Sequence, residues 1–204
     1  MPRLALGASV SVSVALLLPG VGSVTAPDVA TVAVLLNEPV AQELLRGRIP
    51  ARLAYTWTDG SPRVVPIGVY WNGEELVMGT WPHAPKIKAL RRDPRVAITI
   101  DTQTMPFHVL LIRGTARMEL LDEPVPEWIE VNKQLAGDDA AGTQMAQQLG
   151  SLVPVLGGMV RIRVRPEWVG ILDFETRFPN EVERGVAAAH AAHAAAPPET
   201  GSAG

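Results

Sequence analysis

The 204-residue sequence has no cysteine. A disulfide framework, a thiolate metal site and a cysteine nucleophile are therefore excluded. Aromatic residues make up 5% of the chain and charged residues 19%. No G-x-S-x-G, H-E-x-x-H, P-loop or G-x-G-x-x-G pattern occurs, so the short signatures of hydrolases, metalloproteases and nucleotide-binding loops are missing. Histidine is scarce, and two of the four, His190 and His193, lie in an alanine-rich tail where a solvated pair outweighs a metal site. No metal is expected. Excess positive charge is also absent: 18 basic and 21 acidic residues give a net charge of −3. A protein that neutralises phosphates along a nucleic acid would be basic, so that partner class falls away. The apolar stretch at 4–24 is broken by Ser9, Ser11, Ser13 and Pro19-Gly20, whereas a spanning helix needs about 20 continuous apolar residues. No membrane partner is expected either.

What is present is a chain with 47% hydrophobic residues, enough for one domain with a real core plus tails. Three parts are expected: an apolar N-terminal extension over 1–31, a folded domain over 32–180, and a disordered Ala/Pro-rich tail over 181–204. The extension reads either as an over-extended gene start, which leaves the protein cytoplasmic, or as a signal peptide over 1–26, which would export it. The first reading is preferred because nothing downstream looks secreted.

The middle alternates as strands do. Asn37-Glu38-Pro39 opens a helix that Gly47 ends. Residues 51–58 alternate, Asp59-Gly60-Ser61-Pro62 turns, 63–71 forms a second strand, and Asn72-Gly73 leads into a third over 75–80, making a meander. A helix over 86–92 is stopped by Asp93-Pro94, and strands follow at 96–100, 108–121 and 159–174, with Gly114 marking a bulge. Helices are expected over 124–136 and 143–149 between the last two. Six strands with peripheral helices and no βαβ alternation predict a small closed antiparallel barrel.

One stretch carries chemistry: Thr80-Trp81-Pro82-His83-Ala84-Pro85-Lys86-Ile87-Lys88. A strand ends, a short loop turns, and a helix opens on Lys86. A hydroxyl, an ammonium and the free N–H groups of a first turn would converge there on an anion.

The surrounding motifs give that stretch a family context. Arg63-Val-Val-Pro-Ile67, Asn72-Gly73, Met78-Gly79-Thr80, the run Lys86-Ile-Lys-Ala-Leu90-Arg-Arg-Asp-Pro94, Arg113-Gly114-Thr115-Ala116 and Arg165-Pro166-Glu167-Trp168 follow one another in order. Over residues 35–178 the sequence resembles the pyridoxamine 5′-phosphate oxidase-like family. The resemblance implies a mainly β fold with peripheral helices, a six-stranded antiparallel split β-barrel of the Greek-key, FMN-binding type. It also implies a homodimer with cofactor sites at the subunit interface and hydride transfer to or from a small-molecule substrate. The implied cofactor-binding residues are Arg63, Val64, Val65, Pro66, Ile67, Met78, Gly79, Thr80, His83, Pro85, Lys86 and Lys88; no catalytic residue is implied. The sequence departs from the pattern where Ala84 and Pro85 replace a serine and an arginine, Gly68 replaces a lysine, and Val109 replaces a glutamine. These departures point away from pyridoxamine phosphate oxidation itself. FMN is the first choice of cofactor. The alternatives are the deazaflavin coenzyme F-420, whose acidic tail Lys86, Lys88, Arg91 and Arg52 could line, and a non-enzymatic flavin or haem binding module.

Overall fold

The computed structural model describes residues 29–174. In chain order these form α1 (Val29–Leu36), α2 (Pro39–Arg46), β1 (Ala51–Thr56), β2 (Pro62–Ile67), β3 (Tyr70–Trp71), β4 (Leu76–Thr80), α3 (Pro85–Arg92), β5 (Arg95–Asp101), β6 (His108–Leu121), α4 (Trp128–Ala136), α5 (Asp139–Gly150) and β7 (Met159–Asp173). The N-terminal extension up to residue 28 and the tail with His190 and His193 lie outside the described residues.

Local chemistry accounts for most boundaries. Pro39 and Pro85 sit in the first turns of α2 and α3, where a missing N–H costs nothing. Gly137 closes α4 in the left-handed conformation at φ 68°, and the Asp138 side chain accepts from the Ala141 N–H to start α5. The Asn72 side chain accepts from the Glu74 and Glu75 N–H groups at 3.0 and 2.8 Å, with Gly73 at φ 100°, which fixes the turn into β4. The Gly114 bulge is real: the β6–β7 register shifts between Arg113 and Gly114. No helix is expected from the sequence at α1, which carries no charged residue and so shows no amphipathic contrast.

The strands make one antiparallel sheet in the order β2-β1-β5-β6-β7-β4-β3. The expected second strand over 63–71 is broken at Gly68-Val69 into β2 and β3, which is why seven strands replace six. Those two pieces are the outermost strands of the sheet, yet only two residues separate them along the chain, a reach of about 10 Å. The sheet therefore rolls until its two edges meet along a seam that no backbone ladder crosses. The barrel is split there and not closed.

Inward-facing residues of every long strand, among them Leu53, Met78, Ile98, Ile112 and Ile162, fill one interior cluster. α1, α2 and α3 add Val32, Leu44, Leu45, Ile87 and Leu90 to it. Helix α4 lies on the other side of the sheet, over the seam. A Cβ on Gly68 would come 2.5 Å from Val131 Cγ1 and 3.0 Å from Leu135 Cδ1, and one on Gly79 would come 3.0 Å from Trp128 Cε3. Trp128, Val131 and Leu135 share one face of α4 at helical spacing. Continuing the Tyr70↔Val77 register would set Gly68 opposite Gly79, so the helix rests on a pair of side-chain-free positions. It is fastened at both ends. Gln134 Nε2 donates to the Leu45 and Gly47 carbonyls at 3.1 and 2.7 Å, Arg48 donates to the Gly137 carbonyl at 2.9 Å, and Arg161 ion-pairs with Glu127 just before α4.

Candidate functional site

β4 ends on Thr80, whose side chain follows Met78 toward the interior and is buried. The chain then turns through Trp81-Pro82-His83-Ala84, tied by a 3.0 Å bond from the Ala84 N–H to the Trp81 carbonyl, and enters α3. This turn is short enough to bring Lys86 back onto the strand end. Lys86 Nζ donates to Thr80 Oγ1 at 3.0 Å. The ammonium is half-buried, and burial holds its pKa below the ordinary lysine value of 10.5. Among the described residues no carboxylate is within ion-pair distance of it. The start of α3 has no side-chain cap and no acidic residue in its first turn. A partly desolvated cation without a counter-charge, beside a hydroxyl and an uncapped helix start, is a setting in which an anion relieves an electrostatic cost. A phosphate group fits the residues present.

The remaining expected residues divide by placement. Gly79 lies against Trp128 under α4, on the face opposite Thr80. His83, Pro85 and Lys88 are exposed around the opening of α3. Arg63 to Ile67 form β2, the outermost strand beside β1. Of its residues Ile67 is buried, Val65 packs on the core, and Arg63 is exposed with its guanidinium 5.9 Å from the Trp57 ring centroid. Val64 and Pro66 face outward and are exposed. Pro62 and Pro66 carry no N–H, which limits what this edge can donate to another strand. Arg52 is engaged by Asp101 at 2.6 Å and is not an open groove cation, whereas Lys88 and Arg91 are exposed on α3 with no ion pair among the described residues.

Two features were not legible beforehand. The α4 roof is one: Val131 and Leu135 occupy the space that a side chain at position 68 would need, and Trp128 stands 6.4 Å from Trp81, walling the loop that carries the site. Nothing in the sequence near Gly68 announces a helix arriving from residue 128 onward. The other is Trp168, which lies away from that loop, flat over Gly170 on β7. A Cβ on Gly170 would meet its ring at 2.6 Å, and the exposed Arg113 guanidinium stacks 4.1 Å from its centroid. This stack belongs to the outer face of β2, β1, β5 and β6, which no described helix covers. Val64 at 63% exposure, Ala54 and Ala97 lie in one row across it.

Comparison with known proteins places these features in a wider set. The model of the pyridoxamine 5′-phosphate oxidase family matches residues 38–173. Among solved structures, a conserved hypothetical protein from Mycobacterium tuberculosis is similar at 19% identity and a TM-score of 0.51, covering 72% of this chain and 86% of its own. An F-420 reductase is similar at 22% identity and a TM-score of 0.48, covering 63% of this chain and 94% of its own. A haem storage protein from Vibrio cholerae is similar at 19% identity and a TM-score of 0.49, covering 67% and 93%. No curated protein matches.

Proposed function

Because the chain belongs to the pyridoxamine 5′-phosphate oxidase family, we propose that it is a flavin-dependent oxidoreductase that holds FMN by its phosphate at Thr80 and Lys86. The observation that carries this reading is the half-buried Lys86 ammonium on the Thr80 hydroxyl with no carboxylate to balance it. When bound, the flavin supplies the hydride chemistry. The chain's own residues bind and orient: Lys86 neutralises part of the phosphate charge, Thr80 fixes the Nζ position, and Trp81 against Trp128 shields one side of the loop from water. The backbone of β2 offers carbonyls to a flat ring at its edge, with Val64 and Pro66 as apolar flank. No side chain is required as acid or base.

The site offers one cation, since Gly68, Ala84 and Pro85 supply none. A second reading, binding of the deazaflavin coenzyme, is favoured by Lys88 and Arg91, exposed cations that a longer acidic ligand would reach beyond Lys86. The uncovered outer sheet face supports a homodimer, in which a second copy buries Val64, Ala97 and the Arg113–Trp168 stack. In the same reading the protein works in the cytoplasm on a small-molecule substrate. Among the described residues no helix is long and apolar enough to cross a membrane.

The test is titration of the purified protein with FMN and with the deazaflavin, followed by anaerobic reduction with NAD(P)H and reoxidation by a panel of acceptors. Tight FMN binding with turnover supports the proposal. Tighter deazaflavin binding reverses the cofactor, and binding without any turnover makes the protein a binding module.

A further inference from the structure

We propose that Lys86 is a covalent modification site, acylated by acyl phosphates, the class of metabolite in which an acyl group is joined directly to phosphate. The proposal shares with the flavin reading only the attraction of Lys86 for a phosphate. The chain has three lysines, and their settings differ. Lys133 is ion-paired with Glu130 at 3.2 Å. Lys88 is exposed on the outside of α3. Lys86 is half-buried, as Lys133 is, but it alone is bonded to a neutral hydroxyl and has no carboxylate partner among the described residues.

An amine attacks only after losing its proton, and it loses it most readily where burial opposes the charge and no carboxylate favours it. Lys86 meets both conditions while remaining partly open to solvent. The same place draws in the reagent. An acyl phosphate is anionic, and the uncapped start of α3, with the Lys86 backbone N–H lacking a helical acceptor, faces it with positive potential. The step balances without a further reactant. Neutral Nζ attacks the acyl carbon and an amide N–C bond forms. The C–O bond to phosphorus breaks, and inorganic phosphate leaves with that electron pair. The surplus amine proton goes to water. The product has no charge at Nζ, so the modified chain loses the single cation of the site. Acylation would thus switch off retention of a phosphate-bearing cofactor in proportion to the supply of activated acyl groups.

The experiment incubates the full chain with acetyl phosphate and follows acetylation of Lys86, Lys88 and Lys133 by peptide mass spectrometry. A parallel series uses an uncharged acetyl N-hydroxysuccinimide ester, and both are run with and without inorganic phosphate. Acetyl phosphate should modify Lys86 about 10-fold faster than either other lysine, the scale on which a local potential concentrates a small anion. Inorganic phosphate should abolish that preference, and the uncharged ester should show less of it. Lys88 or Lys133 reacting as fast as Lys86 with acetyl phosphate overturns the proposal. A preference for Lys86 that is equal for both reagents and indifferent to phosphate also overturns it, by removing anion recruitment. The flavin reading stands or falls separately, on direct titration of the unmodified protein with cofactor.

Discussion

Val131 Cγ1 lies where a side chain at Gly68 would begin: a Cβ on the glycine would be 2.5 Å away, with Leu135 Cδ1 at 3.0 Å. The strand break and the helix above it are thus one unit. Gly68→Ala should destabilise the fold by about 1–3 kcal/mol through overpacking. Combining it with Val131→Ala should cost less than the sum of the single changes, because the second removes the atom the first collides with. Denaturant unfolding of the four proteins measures this. Strict additivity would show that α4 does not press on the break.

Lys86→Ala removes a charge-assisted contact worth about 1.5–3 kcal/mol, so flavin affinity should fall by about 10- to 150-fold. Melting temperature without cofactor should change little, since Lys86 has no ion pair among the described residues to lose. Lys88→Ala, on the exposed side of α3, is the control and should bind nearly as the parent does. Equal titration curves for all three would move the phosphate elsewhere.

Burial sets the direction of the pH response. Lys86 titrates below 10.5 in the folded chain, so phosphate affinity should be lost as pH rises through that lowered value, before ordinary lysines discharge. Stability without cofactor runs the other way. Between the lowered value and 10.5 the unfolded chain binds more protons at this position than the folded one, so Lys86 makes unfolding harder as pH rises. Lys86→Met should remove this increment and the pH dependence of binding together. Retention of either in the variant would assign it to another group.

The outer sheet face yields a prediction about assembly. Ala97 is exposed in the row that joins Ala54 to Arg113. Ala97→Lys should leave the monomer folded, because surface changes usually cost about 0.5 kcal/mol or less. It should shift a dimer toward monomer by placing a second cation beside Arg113 in a buried contact. Sedimentation at several concentrations reads the outcome. An unchanged dimer would put the contact on another face.

Legibility in the sequence followed the range of the interactions. The 108–121 and 159–174 strands, the Gly114 bulge and the 86–92 helix stopped by Asp93-Pro94, which in the structure opens one residue earlier at Pro85, were readable, because alternation, a glycine and a proline act within a few residues. The six-residue spacing of Thr80 and Lys86 likewise announced their meeting. The seam was not readable. Residues 63–71 alternate well enough for one strand, and the break depends on Val131 and Leu135, more than 60 positions later. The same helix decides what surrounds the site, so the hydroxyl and the ammonium were visible in advance and their wall was not. The α1 helix escaped for a different reason: eight apolar or neutral residues in a row carry no contrast between faces.

A tube slit along its length can change its bore without tearing. The seam between β2 and β3 has that property here, since no backbone hydrogen bond spans it and widening it would break none. Beyond the Gly68-Val69 link that ties the edges at one end, resistance comes from side chains, where α4 acts as a clasp with Trp128 on Gly79 and Val131 and Leu135 on Gly68. The calibre of the barrel is therefore set by the size of a few residues on one helix. Trimming or enlarging them offers a way to tune the width of the cleft while the hydrogen-bonded wall stays as it is.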